Sequence, residues 1–187
     1  MAMVTRLGDT ALWFEIVHDA EKSCAISLHQ ELESYLVFLL MRYVKRPDLV
    51  QQVMATSFLA GLQASPRERI EILRSVGDQC LLLTGLYPGI VKKRHVRIGY
   101  FVGMGQTAYV SSSFHRDDIY AQLGGHFVPL MDVLQSVRRS DSQLPDLLPF
   151  EAWELWSETG SQRALSILRQ YTNAVPMVSS LDGRKPI

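Results

Sequence analysis

The chain has 187 residues, the length of a single domain, and 47% of them are hydrophobic while 20% are charged. This composition excludes a wholly disordered or fibrous protein. Nineteen basic residues balance nineteen acidic ones, so we expect no general attraction of the chain to nucleic acid or to anionic membranes.

Helical periodicity dominates the sequence, and prolines and glycines mark the joints. Pro66 and Pro149 stand at predicted helix starts, whereas Gly124, Gly125 and Pro129 interrupt one predicted helix, where we expect a kink or a break. No strand alternation recurs. The pattern predicts helices over residues 9–24, 28–45, 47–63, 66–86, 89–112, 117–139, 149–158 and 161–173.

These elements predict an all-α fold, a single-domain bundle of seven to eight helices over residues 1–172. Helices 28–45 and 96–112 are expected at its centre. Residues 173–187 carry few apolar anchors, which predicts a C-terminal tail that is extended or partly disordered.

Cysteine use and hydropathy indicate the compartment. Cys24 and Cys80 form no CxxC pair, which favours free thiols in a reducing cytoplasm. The N-terminus lacks the pattern of a signal peptide. The longest near-apolar run, 35–41, is far shorter than the roughly 20 residues of a membrane span. We therefore expect a soluble, cytoplasmic protein that does not enter a membrane.

Residues 96–112 are apolar nearly all round the helical wheel, which predicts a buried helix. Gly99, Gly103, Thr107 and Val110 form a narrow stripe on it, largely of small residues. The stripe either lets another helix approach closely or leaves room for a small apolar ligand.

Glu33 lies on the apolar face of helix 28–45. A carboxylate in such a place either has a partner on a neighbouring helix or lines a pocket with a raised pKa. If it lines a pocket, a small-molecule ligand would bind between the central helices. The candidate ligand-binding residues are then Glu33, Tyr100, Gly103, Met104 and Tyr109.

Two motifs imitate cofactor or metal sites. Gly103-x-Gly105-x-x-Ala108 matches a dinucleotide fingerprint, but the parallel strands that this motif requires are missing from the predicted elements. Glu15-x-x-His18 is half of a di-iron motif without a second copy. We therefore predict no cofactor and no metal.

Charged residues suggest two surfaces. Arg67, Glu71, Arg74 and Asp78 alternate in sign at helical spacing, which predicts a solvent-facing ladder of ion pairs. A dense basic cluster precedes the helix 96–112 and offers an anion-binding or partner-binding surface. It contains no interleaved aromatic residues for stacking bases, so nucleic acid is not favoured. Its candidate residues are Lys92, Lys93, Arg94 and Arg97.

Phe150, Trp153 and Trp156 recur at three-residue steps near the C-terminus. They either cap the core of the bundle or form an exposed surface for protein contact. Charge is also segregated, since residues 1–35 are net acidic and residues 36–97 net basic. Both features favour contact with a protein partner or a second copy of the chain.

Residues 73–109 contain Gly77-Asp78, a Gly-x-x-Pro from Gly85 to Pro88, Tyr100, and Met104-Gly105-x-x-Ala108-Tyr109. In this segment, about a fifth of the 187 residues, the chain resembles a family of uncharacterised bacterial all-helical proteins of similar length. The resemblance implies a bacterial source and an essential role of the glycine-containing helix in the fold. That family has no known activity, so the resemblance implies no catalytic residues.

No catalytic constellation stands out in the sequence. The leading hypothesis is a non-catalytic helical module that acts through protein–protein contact, as a homodimer or with another protein. One alternative is a binder of, or enzyme for, a small apolar ligand. The other is contact with an anion or nucleic acid through the basic cluster at residues 92–97.

Overall fold

The computed structural model describes residues 2–45, 54–88, 96–115, 118–140 and 147–171. Within these ranges the chain forms nine helices and no strand, which confirms an all-α, single-domain bundle with more helices than the seven or eight predicted. The helices are α1 Ala2–Cys24, α2 Gln30–Lys45, α3 Met54–Gln63, α4 Pro66–Leu86, α5 Ile98–Ser112, α6 Ile119–Gly125, α7 Phe127–Ser140, α8 Pro149–Thr159 and α9 Gln162–Tyr171.

Several helix boundaries agree with the sequence pattern. α2, α4 and α8 begin and end within two residues of their predicted limits. α1 is longer than predicted because it already begins at Ala2. α5 begins later than predicted, since Arg97 precedes it with extended backbone, at φ −66° and ψ 142°. Residues 46–53 and 89–95 and the predicted tail at 173–187 lie outside the described ranges.

The expected break between residues 117 and 139 is confirmed at His126. α6 ends at Gly125, His126 has the non-helical angles φ −106° and ψ 18°, and α7 starts at Phe127. Pro129 lies in the first turn of α7, where the missing N–H of proline has no helical acceptor to lose. Gly124 and Gly125 therefore end α6, and Pro129 lies in the first turn of α7.

The centre of the bundle is α4, which packs most extensively against α5 and also against α3 and α7. Every residue from Val76 to Gly85 is buried, so this stretch is enclosed on all sides. The prediction that α2 and α5 form the centre is therefore wrong for α2. α2 buries one apolar face, which includes Leu32, Leu36 and Leu40, whereas its Phe38 remains exposed.

Glycines allow helices to cross closely around α4. A Cβ at Gly77 would lie 2.7 Å from the ring of Tyr109, and one at Gly85 would lie 2.5 Å from Leu134 Cβ. On α5 the close crossing is at Gly105, which faces Phe127 and Cys80. In the predicted stripe, a Cβ at Gly103 would meet nothing within 4 Å, whereas one at Gly99 would lie 3.3 Å from Glu158 Oε2.

A buried carboxylate on α7, that of Asp132, holds the C-terminal helix α9 in place. Asp132 on α7 accepts hydrogen bonds from the Ser161 hydroxyl at 2.6 Å and from the Arg163 backbone N–H at 3.3 Å. Ser161 and Arg163 lie at the N-terminus of α9, where backbone N–H groups need acceptors. Burial raises the pKa of Asp132 while the hydrogen bond from Ser161 opposes that rise. Asp132 thus anchors α9 to α7.

Both cysteines, Cys24 and Cys80, are free thiols. Burial raises the pKa of the Cys80 thiol to about 12.

Among the helices in the described part of the chain, we find none with both the length and the apolar composition needed to cross a membrane.

Candidate functional site

The most unusual polar group in the described part of the chain is the carboxylate of Asp78, in the middle of α4. The residue is only 5% exposed. Its Oδ1 accepts hydrogen bonds from the Tyr35 hydroxyl at 2.6 Å and the Tyr109 hydroxyl at 2.8 Å. Its Oδ2 lies 3.1 Å from Arg42 Nη1 and 3.8 Å from Arg74 Nε. These five residues, which we call the Asp78 cluster, join α2, α4 and α5.

The local sequence explains how the cluster forms. Because Gly77 has no side chain, the ring of Tyr109 can lie directly against α4 and place its hydroxyl on the neighbouring carboxylate. The ring of Tyr35 meets that of Tyr109 edge to face, with centroids 6.3 Å apart, a favourable aromatic geometry. Gly77 and Asp78 are adjacent on α4, and Tyr109 follows Asp78 by 31 residues, yet the three act as one unit.

Burial dominates the electrostatics of the cluster. Loss of hydration raises the pKa of Asp78, and the hydrogen bonds from Tyr35 and Tyr109, together with Arg42 and Arg74, only partly offset this. Burial and the adjacent Asp78 also raise the pKa values of both tyrosines. The hydroxyls therefore stay protonated and act as hydrogen-bond donors.

The prediction that the ion-pair ladder faces solvent is wrong for its last two residues. Arg67 and Glu71 are exposed, but Arg74 is half-buried and Asp78 is buried. The spacing of charges along one helix predicts which side chains are neighbours on that helix. It carries no information about α2 and α5, which cover the last turn of the ladder and supply partners for Asp78.

A cleft of about 320 Å³ opens beside the Asp78 cluster. Both arginines of the cluster line it, and each is partly exposed. Each carboxylate oxygen of Asp78 already has two donors within 4 Å. A general base needs an oxygen free to accept the proton of a substrate, so this arrangement suits an internal structural link better than a catalytic carboxylate. The lining residues are Arg42, Glu71, Arg74, Ser75, Asp78, Gln79 and Leu82.

The five candidate ligand-binding residues are not brought together in one pocket. Tyr109 is fully buried in the Asp78 cluster, and Met104 belongs to the apolar core. Tyr100 is half exposed, and the space beside Gly103 is open. Glu33 lies on α2 near Glu21 of α1. Burial is the main cause that raises the pKa of Glu33, and the charge of Glu21 is the second. Tyr109 and Met104 thus lie on the buried side of α5 and Tyr100 on its exposed side, while Glu33 belongs to another helix.

An apolar pocket lies elsewhere, between the start of α5 and the inner side of α8. Its volume is about 240 Å³. The residues that line it come from several separate parts of the chain, so no local pattern in the sequence could have revealed it. They are Pro88, Val96, Arg97, Ile98, Gln135, Leu147, Glu151, Glu154, Leu155 and Glu158.

Three of the four candidate residues of the basic cluster at 92–97 lie outside the described ranges: Lys92, Lys93 and Arg94. Arg97 is exposed, and its Nε lies 3.8 Å from Glu158 Oε1. Glu158 also accepts a hydrogen bond from the Gly99 backbone N–H at 3.1 Å, so Arg97 takes part in the contact between α5 and α8.

The aromatic residues of α8 divide between core and surface. Trp156 is partly buried and packs against the core. Phe150 is 66% exposed and Trp153 is 47% exposed, and their rings stack with centroids 6.1 Å apart and planes inclined by 25°. Leu148 beside them is also exposed. We call Leu148, Phe150 and Trp153 the α8 aromatic face.

Comparison with known proteins gives no assignment for these sites. No family model matches the chain, and neither a curated protein nor a solved structure matches it. The sites are therefore interpreted from their geometry and chemistry.

Proposed function

We propose that this protein is a non-catalytic helical module that associates with a second copy of itself through the α8 aromatic face. The observation that carries the proposal is the stacked and exposed pair Phe150 and Trp153. Large aromatic side chains dominate the energetics of protein contacts. The stack also limits the rotation of both rings, so less side-chain entropy is lost when they are covered.

The charges around α8 favour a second copy as the partner. Glu151 accepts a hydrogen bond from the Leu148 backbone N–H at 3.0 Å, and Glu158 pairs with Arg97. Two of the carboxylates of α8 are thus already engaged within the chain. A symmetric contact through the α8 aromatic face would leave both of these interactions intact, so neither Glu151 nor Glu158 would need a new partner.

Two further inferences accompany this proposal. Free Cys24 and buried, unreactive Cys80 support a reducing, cytoplasmic location. Gly77, Asp78 and Tyr109 of the segment that resembles the bacterial family meet in the Asp78 cluster. This supports reading that segment as a structural signature of a bacterial all-helical family.

Sedimentation equilibrium of the untagged protein tests the proposal. We expect reversible self-association with a Kd of about 10–100 μM, because the aromatic face is smaller than the interface of a permanent dimer. The double variant Phe150→Ala/Trp153→Ala should be monomeric over the same concentrations. The matched control is Phe38→Ala, which removes an exposed aromatic side chain on α2 and should leave the Kd unchanged.

Two outcomes would overturn self-association through α8. One is a strict monomer at every concentration. The other is a double variant that associates as strongly as the parent protein, which would place the contact elsewhere.

The pocket between α5 and α8 favours a second candidate function, the binding of a small apolar ligand. Its volume of about 240 Å³ suits a small molecule, and five of its ten lining residues are apolar. The other five are polar or charged and include three glutamates. Native mass spectrometry of the untagged protein should then show an added mass that disappears on denaturation. Ile98→Trp, which fills the pocket, should remove the added mass, whereas Tyr100→Trp on the exposed side of α5 should retain it. A bare mass for the parent protein would reject this candidate.

A further inference from the structure

Three potential metal ligands from two helices meet near the turn between α1 and α2. They are His18 and Glu21 of α1 and Glu33 of α2, and one donor atom from each lies within 4.8 Å of the other two. His18 Nδ1 is 3.5 Å from Glu21 Oε2. None of these residues belongs to the Asp78 cluster, to the apolar pocket or to the α8 aromatic face.

Glu21 is held in place before any ion could bind. It is only 6% exposed, and its Oε1 accepts a hydrogen bond from the Leu28 backbone N–H at 2.7 Å. That bond spans the turn after α1, where Ala25 has the positive φ of 54°. The other oxygen, Oε2, is directed towards His18. A buried carboxylate with one fixed oxygen is a preorganised ligand, because little entropy is lost when its second oxygen binds.

Glu33 and Glu21 form an unfavourable pair in the absence of a cation. Glu33 is partly buried on α2, and its carboxylate lies within 4.8 Å of the Glu21 carboxylate. Two carboxylates this close repel each other when both are ionised. A dication between them would replace that repulsion with two favourable interactions.

We propose that His18, Glu21 and Glu33 bind one divalent first-row transition-metal ion, of which Zn²⁺ is the best fit. An imidazole nitrogen with two carboxylate oxygens is a donor set for such ions, whereas Mg²⁺ and Ca²⁺ prefer oxygen ligands alone. Two ligands on one Zn²⁺ are at most about 4.2 Å apart, since each bond is about 2.1 Å long. Binding therefore requires the side chains of exposed His18 and partly buried Glu33 to move towards the fixed Glu21, and water completes the coordination.

Because its ligands come from both helices, the bound ion would link α1 to α2. Isothermal titration of the untagged protein with ZnCl₂ alone should show one ion per chain. At a hundredfold excess over Kd, Zn²⁺ should raise Tm by about 5–10 °C. MgCl₂ should neither bind measurably nor raise Tm.

Variants of the two partly exposed ligands provide the decisive comparison. His18→Ala and Glu33→Gln should each weaken Zn²⁺ binding at least about tenfold and abolish most of the Tm shift. Glu21→Gln is less informative, because Glu21 also holds the α1–α2 turn through Leu28. Circular dichroism without metal should be the same for both variants and the parent protein.

The matched control is His29→Ala. The exposed rings of His29 and His126 have centroids 6.4 Å apart, so this pair is the competing place for adventitious Zn²⁺. The variant should bind Zn²⁺ as the parent protein does. Unchanged binding by His18→Ala, or loss of binding by His29→Ala, would overturn the assignment, as would the absence of Zn²⁺ binding to the parent protein.

Discussion

Asp78→Ala is expected to lower the free energy of unfolding by about 3 kcal/mol. The substitution removes the acceptor shared by Tyr35 and Tyr109 and leaves the fully buried Tyr109 hydroxyl without it. An unsatisfied buried hydroxyl costs about 1–3 kcal/mol, and the cavity left by the carboxylate adds to this. Arg42 and Arg74 are partly exposed and can turn to water, which keeps the loss at the lower end of the range for a broken buried ion pair.

Urea unfolding measures this loss, with Glu71→Ala as the matched control. Glu71 lies two turns earlier on α4 and lines the same cleft, but it is exposed. Its removal should change the free energy of unfolding by less than about 0.5 kcal/mol. Equal stability of Asp78→Ala and the parent protein would mean that the Asp78 cluster does not hold α2, α4 and α5 together.

The raised pKa of Asp78 also makes the free energy of unfolding depend on pH. In the folded protein the carboxyl keeps its proton to a higher pH than in the unfolded chain. As pH rises above the ordinary aspartate range, the unfolded state loses its proton first and is stabilised relative to the folded state. The stability of the parent protein relative to Asp78→Asn should therefore decrease as pH rises from about 4. An increase would show that the tyrosines and arginines outweigh the cost of burial.

The helices were predictable because their signals are local. Pro66 and Pro149 mark the starts of α4 and α8, and Gly124-Gly125 marks the break after α6. Such residues act through their own backbone angles, which depend little on the rest of the fold. The apolar face of α2 was predictable for the same reason, since it repeats within one helix.

The sites were less predictable because they depend on which helices meet. Asp78 has the spacing of a surface ladder, and only the crossing of α2 and α5 over α4 makes it buried. Glu33 is partly buried on α2, and its neighbour Glu21 was not predictable from the sequence, because that contact depends on the turn at Ala25. In α8, three aromatic residues at equal spacing have different exposures because Trp156 faces the core and Phe150 faces away from it.

Gly105→Ala is expected to destabilise the protein by about 1–2 kcal/mol, although alanine is the better helix former. A Cβ at this position would lie 2.6 Å from Phe127 Cζ and 2.9 Å from Cys80 Cβ. Phe127 is fully buried, and the Cβ of Cys80 is fixed to the backbone of α4. Neither neighbour can yield without moving a helix, so overpacking exceeds the gain of about 1 kcal/mol in helix propensity.

Gly103→Ala is the matched control and should have the opposite sign. It lies two residues earlier on the same helix, and its Cβ would meet nothing within 4 Å. Only the propensity gain remains, so urea unfolding should show a stabilisation of up to about 1 kcal/mol. If both variants were stabilised, α5 would have room to move away from α4 and α7. If both were destabilised, another part of the protein or a second molecule would have to contact α5 at Gly103, and that contact would need to be mapped.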